Sequence, residues 1–217
     1  MSSAMFNLIL EATLDTLYMV AVSGVIAALV GIPLGVLLYV TRPGQILAQP
    51  VLQSVLGIIT NIGRSIPFII LMVAIIPFTR MLVGSSIGTN AAAVPLTIAA
   101  IPFIARLVEG ALNEISPGLV EAAQSMGATP WQIITKVLLP EARGGIFTAL
   151  TVTAVTLVSY SAMAGAVGGG GLGDLGIRYG YNRFNPTIML ITVAILVVMV
   201  QAFQSLGDYL VRKSDHK

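Results

Sequence analysis

Long apolar runs, separated by short polar breaks, dominate the chain. They fall at about 17–40, 52–78, 91–112, 145–167 and 186–206. A helix needs about 20 mainly apolar residues to cross a bilayer. The pattern therefore predicts an all-α polytopic membrane protein of about five transmembrane helices, with residues 1–217 forming one domain. The second run is longer than one crossing needs, so its first turns are expected along the interface. Pro33, Pro67, Pro77, Pro95 and Pro102 lie within the runs. Each lacks an amide donor and bends or interrupts its helix, which membrane helices tolerate where neighbouring protein satisfies the freed carbonyls. Gly31 and Gly35 have the spacing that lets helix backbones approach closely.

One interruption, at about 113–140, is long and polar. Ser116-Pro117 has the form of a helix start, with Ser116 as cap. Leu119, Ala122, Ala123 and Met126 then share a face by i, i+3, i+4, i+7 spacing. Gly127 permits a sharp turn because it accepts positive φ. Thr129-Pro130 opens a second short helix, whose Ile133, Ile134 and Val137 share a face and which Pro140 is expected to end. The prediction is a helix-turn-helix on the membrane surface. Its alanines and glycine suit close docking against another protein, and a plain amphipathic interfacial loop is the competing reading.

Composition sharpens this picture. Hydrophobic residues make up 56% of the chain and charged residues 9%, against about 25% charged in soluble domains. A soluble fold could not cover its surface with so few charges. No basic patch of the size nucleic acid requires is present. Cysteine is absent, which excludes disulfides, thiol nucleophiles and zinc–thiolate sites. The single histidine, His216, sits in a polar tail. No Lys or Arg precedes Arg42, and Glu11 and Asp15 lie early in the chain, so the first helix is expected to be retained and not cleaved as a signal peptide. With five crossings, Arg42, Arg106, Lys136, Arg143, Arg212, Lys213 and Lys217 fall on one side, and Arg80, Arg178 and Arg183 on the other. The positive-inside rule places the amino terminus outside and the carboxyl terminus in the cytoplasm.

Within the loop, Glu121-Ala122-Ala123, three residues, Gly127, nine residues and Val137-Leu138-Leu139-Pro140 closely resemble the cytoplasmic signature of ABC importer permeases. The one departure is Val137 in place of isoleucine. Arg64-Ser65-Ile66-Pro67-Phe68 looks like the Arg-Gly-Thr-Pro element of amino-acid importer permeases, with Ser65 and Ile66 departing from it. Leu38-Tyr39-Val40-Thr41-Arg42-Pro43-Gly44, Pro67-Phe68-Ile69-Ile70, Ser159-Tyr160-Ser161-Ala162-Met163 and the Gly168-to-Gly173 run resemble the methionine-uptake permeases of bacterial inner membranes. The likeness covers nearly the whole chain. It implies an alternating-access pathway for an amino acid, methionine in the closest group. It implies a second permease copy, an external substrate-binding protein, and a cytoplasmic pair of ATPase subunits contacted through the loop. The coupling residues it implies are Glu121, Ala122, Ala123, Met126, Gly127, Pro130, Val137, Leu139 and Pro140.

Further residues stand out on their own chemistry. Arg64 is the one charge clearly inside a predicted run. It either pairs or snorkels, or it lines a pathway with Pro67, Tyr160, Ser161 and Met163. Gly168-Gly-Gly-Gly-Leu-Gly173 lacks the Gly-Lys-[Ser/Thr] ending of a phosphate loop and reads as a flexible external turn. Asp174, Arg178, Tyr181 and Arg183 beside it are candidate contacts for the external binding protein. No nucleophile–base pair, metal cluster or cofactor motif can be assembled, so ATP hydrolysis is expected on another chain. Two other classes compete with the importer reading. A secondary transporter driven by an ion gradient usually shows internal repeats and intramembrane acids. A membrane scaffold without transport would not need the prolines or the loop signature.

Overall fold

The computed structural model describes residues 3–214, all of whose regular structure is helical; His216 and Lys217 lie outside the described residues. The first helix, α1 (Ser3–Val40), is continuous through Pro33 for 38 residues. At about 1.5 Å per residue it is roughly 57 Å long, well beyond one bilayer crossing. It packs parallel to α5 (Thr89–Asn113), the chain returning between them. Tyr18 Oη donates to Asn90 Oδ1 at 2.8 Å at one end of the pair, and Arg42 Nη1 donates to Asn113 Oδ1 at 2.6 Å at the other. Residues 3–17 therefore project past the start of α5.

Gly31 and Gly35 make this packing close. A Cβ on Gly31 would stand 2.9 Å from Ile104 Cβ, and one on Gly35 would stand 2.6 Å from the Ala105 carbonyl oxygen. Lipid tails are as apolar as leucine, so contact of this kind, more than burial from water, drives helix pairing in a bilayer. Leu96, Ile104, Val108 and Leu112 on α5 and Met19 on α1 form the centre of the core.

The second apolar run is not one straight span. It divides into α2 (Pro50–Ser65) and α3 (Phe68–Ala74), bent by 100°. The cause is local. Pro67 pushes the preceding residue out of helical conformation, and Ile66 adopts φ −83°, ψ 122°. A further helix, α4 (Ile76–Val83), follows and ends at Gly84. Only Gly57 and Thr60 of α2 are buried, and a Cβ on Gly63 would meet Pro102 of α5 at 3.0 Å.

The 113–140 interruption forms α6 (Pro117–Ser125) and α7 (Pro130–Ile133), which runs through a π turn (Ile134–Leu138) into the single turn α8 (Leu139–Glu141). Then come α9 (Arg143–Gly165), the short α10 (Gly171–Leu175), a second π turn (Gly176–Tyr181) and α11 (Pro186–Ser214). Among the described residues four helices, α1, α5, α9 and α11, are long and apolar enough to cross a membrane, and the bent α2–α3 pair makes a fifth if it is taken as one broken span.

The glycine run departs from its expected character. It is a packed re-entry and not a loose turn. Gly171 has φ +72°, a conformation side chains rarely adopt, and a Cβ there would lie 2.6 Å from Thr16 Oγ1. That hydroxyl accepts a 2.8 Å hydrogen bond from the Leu172 amide. The run thereby tucks α10 against α1, and Leu172 is fully buried.

Candidate functional site

The loop between α5 and α9 folds as two short helices at a sharp corner. Gly127 has φ +76°, and nothing approaches within 4 Å of where its Cβ would be. The corner closes with Gly127 N–H donating to Gln124 O at 2.9 Å and Ala128 N–H donating to Ala123 O at 3.1 Å. Thr129 caps α7 in a reciprocal box: its hydroxyl accepts from the Gln132 amide, and the Gln132 side chain accepts from the Thr129 amide. Ser116 stands at the start of α6, but its side chain makes no capping bond.

Two expectations for this loop are corrected. Pro140 does not end the second helix. The Leu139 amide donates to Ile134 O, five residues back, and this π turn admits the proline inside a continuing helix. The shared face of α6 also divides. Val120 and Ala123 are buried against the protein, whereas Leu119, Ala122 and Met126 point away from it. Met126 is 81% exposed, and Trp131, which periodicity did not single out, is 72% exposed. Glu121, Pro130 and Pro140 are exposed as well, and Val137 and Leu139 are half-buried. An apolar patch of Leu119, Ala122, Met126 and Trp131 is thus presented outward by a corner held rigid from behind.

The proposed pathway residues gather around the break in the second span, with one exception. Pro67 sits at the bend and Arg64 one turn before it, both exposed. Phe68, just beyond the bend, stacks on Tyr160 of α9 with ring centroids 4.5 Å apart and planes 5° from parallel. Met163 lies one turn further along α9 and is 44% exposed. Ser161 is the exception: it is buried and donates to Val158 O at 2.7 Å within its own helix. Phe68 escaped the sequence reading because a phenylalanine in an apolar run carries no signal of its own.

A buried polar cluster was also missed. Glu109 on α5 is 2% exposed and holds two guanidinium groups, Arg42 and Arg106, each at 2.6 Å. Arg106 also donates to Gly57 O at 3.1 Å and Asn61 Oδ1 at 2.9 Å on α2. The carboxylate thus ties α1, α2 and α5 together at one end of the bundle. In sequence Glu109 stands only a few residues before the polar interruption, and the fold shows it enclosed.

Among the residues expected to meet an external partner, Asp174 pairs with Arg178 one turn on. Tyr179 joins them: Arg178 and Arg183 lie over its ring at 5.4 and 4.5 Å. Tyr181 stands apart and is 67% exposed.

A polytopic helical bundle with a broken second span and a signature-bearing surface corner defines a class. Residues 31–216 match the family described as binding-protein-dependent transport system inner membrane component, and the chain belongs to that family. More particularly, it is 61% identical over 211 residues to the probable D-methionine transport system permease protein MetI of Vibrio cholerae, covering 97% of this chain and 94% of that one. It is 58% identical over 165 residues to the D-methionine transport system permease protein MetI of Escherichia coli K12, covering 76% of each. A chain in a solved structure of inward-facing conformations of the MetNI methionine ABC transporter superposes over the full length of both chains. The TM-score there is 0.97 and the identity 55%. A chain from an amino acid ABC transporter with histidines shares the fold, with a TM-score of 0.77 at 22% identity.

Proposed function

We propose that this chain is the permease subunit of an ATP-driven methionine importer, working as one of two copies. The observation that carries the reading is the outward apolar patch of Leu119, Ala122, Met126 and Trp131 beside Glu121 and the Gly127 corner. A membrane protein has no need to hold such a patch rigid in water unless a partner covers it. An ATPase subunit on that side would receive it in a groove. Closure of two ATPases on ATP would draw the two permeases together and change which side the pathway faces. Substrate would arrive from an external binding protein, and Asp174, Arg178, Tyr181 and Arg183 are the residues we assign to that contact. The pathway would run past the broken span at Arg64 and Pro67 and past Tyr160 and Met163. The substrate follows from the relatives, which transport methionine by name.

The basic residues support an orientation with the carboxyl terminus in the cytoplasm. Arg42, Arg106 and the loop lysine and arginine cluster at the end of the bundle where Arg42 meets Asn113. Cysteine placed at Lys213 should resist an impermeant thiol reagent in intact cells, and cysteine at Ser3 should react. The reverse pattern would overturn the orientation. An ion-gradient mechanism gains no support from the acids, because Glu109, the one enclosed within a crossing helix, already carries two arginines.

Deleting the gene in a strain without other methionine importers should abolish high-affinity uptake of labelled methionine, and the purified permease should bring down its ATPase. Undiminished uptake after deletion would remove methionine.

A further inference from the structure

Arg64 lies level with the middle of α5. It follows Gly63, where a Cβ would meet Pro102 at 3.0 Å. Pro102 is the fourteenth residue of the 25 in α5, the helix that crosses from Asn90 beside Tyr18 to Asn113 beside Arg42. The Arg64 side chain is exposed, and it takes no hydrogen bond or ion pair among the described residues. A guanidinium held at this depth costs about 2.5–3.5 kcal/mol even on the mildest insertion scale. It is therefore expected to face protein or a watery passage and not lipid.

No carboxylate of the described residues pairs with it. Glu11, Asp15 and Asp174 lie at the Tyr18 end of the bundle. Glu114, Glu121 and Glu141 lie at the opposite end, Asp208 on α11 follows Gly207, which packs on Thr151 of α9, and accepts from Gln204, and Glu109 is committed to Arg42 and Arg106. Arg64 thus stands without an ion-pair partner in its own chain, on the last turn of a helix that breaks immediately afterwards.

We propose that Arg64 is a binding point for the carboxylate of the amino acid in transit. This inference rests on the importer reading and adds to it a site inside the membrane. A guanidinium offers a planar fork of donors that matches a carboxylate bidentately. Among the described residues Arg64 is unpaired, so no partner in its own chain must be displaced when the substrate arrives. The helix breaks at Ile66-Pro67 directly after it, and the Phe68–Tyr160 stack lies just beyond. The methionine side chain, being apolar, would lie against that aromatic pair.

The test uses the full complex of permease, ATPase and binding protein in proteoliposomes, with methionine taken up and ATP hydrolysed measured together. Arg64→Gln should lower methionine transported per ATP hydrolysed by about tenfold or more, the scale of one lost charge-assisted contact. Arg64→Lys keeps the charge but loses the fork, and should fall between. Both variants should still assemble with the ATPase, which a purely structural arginine at this position would not allow. An unchanged ratio in Arg64→Gln overturns the proposal. Absence of methionine uptake by the unsubstituted complex would instead overturn the importer reading beneath it.

Discussion

Arg42 and Glu109 meet at 2.6 Å although 67 positions separate them. The contact ties the turn just after α1 to the last turns of α5, and Arg106 approaches the same carboxylate from the α2 side. Two cations on one buried acid leave the group fully engaged. The cluster acts as a fastening between three helices.

Glu109→Gln should show what that fastening is worth. The substitution keeps the shape but strands the largely buried Arg106 without its counter-charge. Breaking a buried pair from one side costs about 3–5 kcal/mol. Arg42→Gln should cost much less, because Arg42 is 34% exposed and water screens it. Unfolding of the detergent-solubilised protein by a denaturing surfactant would rank the two, and an equal loss would refute the asymmetry.

Helix packing supplies a paired expectation. Gly35→Val places branched atoms where a Cβ alone would stand 2.6 Å from a backbone oxygen, so α1 must move off α5. Gly24→Ala meets only Leu157 Cδ1 at 3.6 Å, an ordinary contact. The first variant should fail to accumulate in the membrane, and the second should accumulate like the parent. Membrane immunoblots read the difference directly.

The stack beside the break gives a third expectation. Tyr160→Phe preserves the ring face against Phe68 and should retain transport. Tyr160→Ala removes a stacking contact worth about 0.5–1.5 kcal/mol beyond area burial, leaving α3 less firmly held to α9. Initial uptake rates should separate the two, and equal rates would show that the stack contributes nothing.

At the surface corner, Gly127→Ala should be mild and Gly127→Asp severe. The alanine methyl has open space, so only the positive φ costs energy, about 1 kcal/mol. The aspartate adds a charge where we expect the ATPase to close over the loop, and an unpaired buried charge costs several kcal/mol. Gly127→Asp should therefore reach the membrane yet lose its ATPase on purification. Retention of stoichiometric ATPase would exclude this corner as the contact.

Much of this architecture could be read from the chain. Apolar runs near 20 residues located the crossings because bilayer thickness sets helix length. The left-handed Gly127 and the Thr129 start were visible because turns and caps depend on a few neighbouring residues. Three features were not. The bend at Ile66-Pro67 hides inside an apolar run, since proline marks a break without setting its angle. The enclosure of Glu109 depends on where Arg42 arrives, a long-range contact with no local signal. The glycine run invited a flexible reading because glycine serves both mobility and close packing, and only Thr16 opposite Gly171 decides between them.

The π turn at Ile134–Leu138 has one more consequence, which is a matter of phase. Each residue of an α-helix turns the chain by about 100° and advances it by about 1.5 Å. A π turn amounts to one residue inserted without breaking the helix. Hydrogen bonds continue from it through Ala142 into α9, so the angular setting of Trp131 relative to the membrane helix is registered by that single added residue. Removing one residue between 134 and 138 would restore an ordinary helix and swing Trp131 by about 100° around its axis. Every side chain of the outward patch would survive the change, yet the patch would face elsewhere. The bearing of the surface corner is thus written in the length of the chain at this point.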